Sequence, residues 1–274
     1  MTTVAPTPDE PAQLRELAVE IAREAGQLLR GFATERAGGG DIDVGSKSSQ
    51  TDPVSEADRA SERLIASRLG VARPDDGLLG EEDQASRESG SGLTWVVDPL
   101  DGTVNFLYGI PIWAVSIAVV DSSGPLAGAV YDPSRDEMFH AARGFGARLG
   151  DTPLACSAVS DLSQALVATG FAYDAAVRVA QGRLVADLLG RVRDVRRAGS
   201  AALDLCWLAA ARLDAYVEFG LQSWDWAAGS LVVTEAGGRS SEHRATLGGR
   251  SLPGLCAGGP VAHDHLVEWL EATT

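Results

Sequence analysis

Residues 95–106 read WVVDPLDGTVNF. An apolar run meets two aspartates, Asp98 and Asp101, set three residues apart around Pro99 and followed at once by Gly102 and Thr103. Pro99 lacks a backbone donor and keeps Asp98 extended, so a buried strand is expected to end at Asp98. Asp101 then begins a turn, and Gly102 with Thr103 suits the opening of a helix. A helix start presents free N–H groups and a positive dipole end, which suit a phosphate. The segment thus offers carboxylates to a cation beside amides for an anion, and oxygen-only ligands suit Mg²⁺. Asp and Gly also dominate ordinary turns, so the segment taken alone reads equally well as a turn and an N-cap.

Other acids shift that balance. LLGEED places Glu81 and Glu82 just upstream, after an apolar pair and Gly80. SWDWAAG sets Asp225 between Trp224 and Trp226 at a strand-to-helix junction, an awkward place for a solvated carboxylate. SSQTDPVSEAD supplies Asp52 after a Ser/Thr cluster. Each signal is weak by itself; together they point to one metal-rich site.

The rest of the chain bounds the function. Its 274 residues suffice for one large domain or two modest ones, and 45% hydrophobic with 22% charged residues is ordinary globular composition. A formal net charge of -15 disfavours nucleic acid and anionic membrane as partners. It leaves room for a small anionic substrate bridged by divalent cations. Cys156, Cys206 and Cys256 are odd in number and lack metal-ligand spacing, which reads as reduced thiols in a cytoplasmic protein. No apolar run approaches membrane-span length, and MTTVAPTPDEP has no secretory character.

Thr7 and Glu10 have capping-box spacing, with Pro8 at the first helical position, so a helix is expected to about residue 32. RAGGGDIDVGSKSSQTD reads as a loop or flexible hairpin. Ser55 with Asp58 opens a second helix to about residue 69. Strands follow in TWVVD, WAVSIAVVD, LAGAVYDP and EMFHAARG, an antiparallel meander. From about residue 155 strands and helices alternate, with helices over 177–189, 200–211, the WAAGSLVVTEAGG stretch and 263–271. An N-terminal half, 1–150, is expected to carry the metal motifs. A C-terminal half, 151–274, carries the substrate segments and the last metal ligand.

GEE at 80–82, DPLDGT at 98–103, WDWAAG at 224–229 and DPVSEAD at 52–58 resemble, in order and spacing, the signatures of the inositol monophosphatase family. Ser55 stands where the family usually has Thr. The resemblance covers nearly the whole chain. It implies an α/β (α+β) fold, an alternating αβαβα layered sandwich, and Mg²⁺-dependent, lithium-sensitive hydrolysis of phosphomonoesters with two or three Mg²⁺ ions per site. It assigns one Mg²⁺ to Glu81, Asp98 and the carbonyl of Leu100, and a second to Asp98, Asp101 and Asp225. It makes Asp52, Thr103 and Glu81 the catalytic residues, Thr103 with Asp52 acting on a metal-activated water, and seats the phosphate near Asp101, Gly102 and Thr103. It also implies a cytoplasmic homodimer.

RRAGSAALDL and DAYVEFG are similar to the family's substrate segments, which brings Gly199, Ser200 and Ala201 to the substrate alcohol and Glu218 to its hydroxyls. The resemblance thus implies an inositol-1-phosphate phosphatase releasing myo-inositol and phosphate. The alternatives are a histidinol-phosphate phosphatase, another sugar or nucleotide phosphatase on the same scaffold, or, in a different class, a non-catalytic regulatory protein. No aromatic shelf or basic group for a second phosphate is legible. Lys47 reads about equally as a phosphate neighbour or a surface lysine. His263 and His265 read as surface residues, His140 and His243 carry no signal, and Cys206 reads as core.

Overall fold

The computed structural model describes residues 9–38, 44–46, 53–82 and 86–273. Lys47 and Asp52 lie outside them. The elements, in chain order, begin with α1 (Glu10–Ala37), β1 (Val44–Ser46), β2 (Pro53–Ser55) and α2 (Glu56–Ala72). Next come β3 (Gly77–Gly80), parallel to its neighbour, and an antiparallel meander of β4 (Thr94–Asp101), β5 (Ala114–Asp121), β6 (Gly124–Asp132), β7 (Glu137–Ala142), β8 (Ala147–Leu149) and β9 (Thr152–Pro153), with α3 (Thr103–Tyr108) between β4 and β5. The second half adds β10 (Leu166–Thr169), α4 (Ala175–Leu188), β11 (Asp194–Arg196), α5 (Ala201–Ala209), β12 (Ala215–Phe219), α6 (Ser223–Glu235), β13 (Arg239–Leu247), β14 (Arg250–Gly258) and α7 (Pro260–Thr273).

Among the described residues β1 and β2 form an antiparallel ribbon, β3 to β9 a seven-stranded sheet in sequence order, and the rest a five-stranded sheet ordered β11-β10-β12-β14-β13. Apolar burial sets the layers. Leu14, Ile21, Ala25 and Leu29 of α1 pack with Ile65 and Leu69 of α2 against Trp95, Val97, Ile117 and Val119 of the first sheet. On the other face of that sheet, Val96, Ala118 and Val130 meet Leu205 of α5 and Ala228 and Val232 of α6, and the same cluster reaches Tyr216 and Leu255 of the second sheet. The outer face of the second sheet is covered by Val177 and Leu188 of α4 and Leu266 and Trp269 of α7. The result is an αβαβα sandwich whose middle layer, α5 and α6, shares its apolar surface with both sheets.

Several boundaries differ from expectation. Helix α1 starts at Glu10 with Asp9 as N-cap and Pro11 in the first turn, and it runs past residue 32 to Ala37. Thr7 is outside the described residues. The strand through Asp98 does not stop at Pro99: β4 continues to Asp101, with a register shift against β5 between Asp98 and Asp101. A bulge absorbs the missing proline N–H without ending the pairing. Strand β13 was not foreseen. Its sequence RSSEHRATL is largely polar and lies at the sheet edge, so it carries little apolar alternation to read. No helix among the described residues is long and apolar enough to cross a membrane.

Candidate active site

In a regular strand, residues three apart face opposite sides. The bulge in β4 breaks that phase, and Asp98 and Asp101 both line one cavity of about 590 Å³. Gly102 follows with φ 91°, and a Cβ there would meet the Ile112 carbonyl oxygen at 2.9 Å. Only glycine fits this turn, which aims the start of α3 into the cavity. Four helices, α3, α4, α5 and α6, begin at this cavity, so their positive ends face its carboxylates.

The structure brings the described candidates together. Glu81, Asp98, Leu100, Asp101, Gly102, Thr103, Gly199, Ser200, Ala201, Glu218 and Asp225 all line this cavity. Asp101 Oδ2 accepts from Ser200 Oγ at 2.6 Å and from the Ala202 N–H at 2.8 Å. Ser200 also caps α5, accepting from the Leu203 N–H. Asp225 lies in the first turn of α6, and its Oδ2 accepts from the Gln222 N–H at 2.6 Å. Asn105 Nδ2 donates to the carbonyls of Ile112 and Ala198, a second tie between the two halves of the chain.

Among the described residues the carboxylate on Thr103 is that of Asp58; Asp52, expected there, lies outside them. Thr103 Oγ1 lies 2.9 Å from Asp58 Oδ1 and 3.0 Å from the Leu100 carbonyl oxygen. Asp58 Oδ2 accepts from the Ser55 N–H at 2.9 Å and Ser55 Oγ at 2.5 Å, completing the capping box of α2. Asp58 is fully buried. Sequence reading took it only as a cap; its signal was its place as the second Asp of DPVSEAD.

At the other end of the cleft Glu218 projects from β12. Its Oε2 accepts from Tyr216 OH at 2.9 Å. Burial pushes the Glu218 carboxyl up to about 7, against the opposing pull of the Tyr216 hydrogen bond and the Arg197 charge. A Cβ on Gly170 would lie 2.1 Å from Glu218 Oε2, so Gly170 is the space this carboxylate occupies. Sequence reading also missed groups on this wall: Arg197, Arg250, Phe171 and Tyr173 line it.

Burial, and then the charge of Glu81, holds the Asp225 carboxyl well above its usual range. Burial likewise raises Asp101 to about 6 despite its hydrogen bonds from Ser200 and Ala202, with Glu81 adding to the rise. Crowded, desolvated carboxylates resist ionisation unless cations accompany them. Among the described residues no three His, Cys, Asp or Glu side chains converge on one point; these acids line the cavity walls. The donors are nonetheless all oxygen, carboxylates plus the Leu100 carbonyl, and such a set fits Mg²⁺.

Layered sheets with an acidic cleft at four helix starts define a phosphatase-type scaffold. The chain belongs to the inositol monophosphatase family, whose model matches residues 10–269. The inositol-1-monophosphatase SuhB of Mycobacterium tuberculosis is 46% identical over 271 residues, 94% of this chain and 93% of that protein. A Nus factor SuhB of Pasteurella multocida is 41% identical over 224 residues, 81% of this chain and 82% of its own. The structure of the extragenic suppressor protein suhB from Bartonella henselae superposes with a TM-score of 0.84 at 36% identity, covering 94% of this chain and 98% of that one.

Proposed function

We propose that this protein is a Mg²⁺-dependent phosphomonoester hydrolase whose preferred substrate is inositol 1-phosphate. The observation that carries the reading is the Asp58–Thr103 pair set beside Glu81, Asp98, Asp101 and Asp225 in one cavity that ends at Glu218. Mg²⁺ held by Glu81, Asp98, the Leu100 carbonyl, Asp101 and Asp225 would neutralise the phosphate and acidify a water. Thr103 Oγ1, oriented by Asp58, receives a proton from the attacking water as its own proton shifts toward Asp58 Oδ1. The backbone N–H groups of Gly102 and Thr103 bind phosphate oxygens. Water adds to phosphorus in line as the bond to the alcohol oxygen breaks, the leaving oxygen takes a proton from a water in the open cleft, and no phosphoenzyme forms. Cys206 and Cys256 are fully buried and do not line the cavity.

Glu218, at the far end of the cleft, supplies an acceptor for the hydroxyls of a polyol. An ammonium such as that of histidinol phosphate would also find a partner there, because its charge favours the ionised carboxylate; histidinol phosphate is therefore the runner-up. A second reading rests on Arg197, Arg250, Phe171 and Tyr173, the basic and aromatic wall suited to a nucleoside monophosphate. The name of the M. tuberculosis relative supports the inositol phosphate reading; that of the P. multocida relative keeps a regulatory role as the different-class alternative.

The test is phosphate release, with and without Mg²⁺, from inositol 1-phosphate, histidinol phosphate and 2′-AMP. The highest kcat/KM on inositol 1-phosphate, with inhibition by Li⁺, is expected. A higher kcat/KM on 2′-AMP moves the assignment to the second reading. No Mg²⁺-dependent release from any of them overturns the enzyme. Sedimentation of the full chain tests the expected homodimer.

A further inference from the structure

Away from the cleft, β13 and α7 bring two imidazoles onto one oxygen. Ser241 and His243 are two apart on β13 and so share a face of the sheet. His263 lies in the first turn of α7, packed on that face. The Nε2 atoms of His243 and His263 each lie 2.8 Å from Ser241 Oγ. None of the three lines the cleft. His263, expected at the surface, is only 8% exposed.

A carboxylate fixes one of the rings. His263 Nδ1 is 3.1 Å from Asp264 Oδ1, and the Asp264 carboxylate is held in turn by Arg239 Nη1 at 2.6 and 2.5 Å. Nδ1 therefore carries the proton toward Asp264, and the Nε2 lone pair points at Ser241. Burial, and then the neighbouring His263, lower the pKa of His243. Ser241 has one proton for two nitrogens, so one imidazole must donate Nε2–H while the other accepts.

We propose that His243 and His263 form a binding site for a borderline divalent transition metal ion, Zn²⁺ or Cu²⁺. Both Nε2 atoms are ligands once the His243 ring holds its proton on Nδ1, water completes the shell, and Asp264 orients His263 from behind. Imidazole pairs select these ions over Mg²⁺. A carboxylate on the far nitrogen is the usual support of a metal-bound histidine. Metal–nitrogen distances are about 2.0–2.1 Å, so each ring moves in by roughly 0.7 Å from its present contact once the serine hydroxyl turns aside. Among the described residues no third His, Cys, Asp or Glu joins the two rings. The site thus has two nitrogens and exchangeable oxygens, and it is built to take up and release its ion rather than to hold it permanently. It ties the C-terminal helix to the edge strand of the second sheet.

The experiment uses the full chain in millimolar Mg²⁺, which occupies oxygen-ligand sites, with Cu²⁺ as the probe. Electron paramagnetic resonance is expected to show superhyperfine splitting from two equivalent nitrogens, at one Cu²⁺ per chain by calorimetric titration. His243→Gln is expected to weaken that binding at least tenfold and to leave the splitting of a single nitrogen. His265→Ala, which removes a histidine of the same helix outside the cluster, is expected to change neither. An oxygen-only spectrum, an unchanged Kd in His243→Gln, or loss of the signal in His265→Ala overturns the site. Thermal melts without Cu²⁺ verify that each variant is folded.

Discussion

At the first-sheet end of the cleft, Asp98, Leu100, Asp101, Gly102 and Thr103 come from six consecutive residues. At the second-sheet end, Gly170, Arg197, Glu218 and Arg250 come from segments as much as 80 residues apart, brought together by β10, β11, β12 and β14. The first end is a run of chain whose geometry is set by a bulge, a glycine and a helix start. The second is a wall assembled by sheet pairing. A local run concentrates reactive groups rigidly, which suits chemistry common to every substrate. An assembled wall exchanges one side chain without disturbing the rest, which suits recognition of one alcohol among several.

That division is open to attack in order of expected effect. Asp98→Asn strikes the first end hardest. It removes charge from the centre of the acidic cluster, and kcat is expected to fall by about three orders of magnitude on every substrate. Mg²⁺ affinity should weaken in parallel by calorimetry. Near-normal turnover at saturating Mg²⁺ breaks the assignment of this end to metal chemistry.

Thr103→Ala removes the hydroxyl on Asp58 and should cost about two to four orders of magnitude in kcat, the scale of a lost proton-transfer group. The loss should be the same for inositol 1-phosphate and for p-nitrophenyl phosphate. Thr103→Ser should recover most of it, because the hydroxyl is restored. A Thr103→Ala defect confined to inositol 1-phosphate would move this residue into the recognition wall.

Glu218→Gln probes the other end. It should cost about 1–3 kcal/mol in transition-state binding of inositol 1-phosphate, with p-nitrophenyl phosphate hydrolysed almost normally. Gly170→Ala, which intrudes on the Glu218 carboxylate, should act in the same direction through a raised KM. Equal losses on both substrates would erase the distinction between the two ends.

The smallest effect is on stability. Burial raises Glu218 from 4.5 to about 7 and Asp101 from 3.8 to about 6. Between each pair of values the folded protein binds more protons than the unfolded chain, so stability falls as pH rises. In chelator, Tm should therefore drop by a few degrees between pH 4.5 and 7.5 from these groups, and Mg²⁺ should restore it more at pH 7.5 than at pH 5. His140 and His243, whose pKa values burial lowers, act with the opposite sign in this window, so the check is the variant: a pH dependence of Tm unchanged in Glu218→Gln would show that Glu218 is not held against ionisation.

Legibility in the sequence followed the same division. DPLDGT, GEE and WDWAAG were readable because each carries its chemistry within a few residues. Their common cavity also follows from the αβαβα order of elements. Asp58 was visible as a cap, but its pairing with Thr103 spans 45 residues, and neither local spacing nor composition encodes it. The wall groups Arg250, Phe171 and Tyr173 carried no local signal, and Arg197 only its place in RRAGSAALDL. Strand β13 was hidden by its polar edge pattern, and with it the meeting of His243 and His263.

The sequence by itself determined most of the elements and the acidic motifs, and its family resemblance implied the layers. Apolar periodicity, caps and turn residues act over a few residues and are written directly in the chain. Tertiary structure alone decided that β4 runs on through a bulge past Pro99, which partner orients Thr103, where Glu218 finds room, and that two distant histidines share one serine. Those outcomes depend on strand register and on the packing of α2, α5 and α7 against the sheets. Burial then raised the carboxyls of Asp101, Glu218 and Asp225 by withdrawing water from groups that a linear chain leaves solvated.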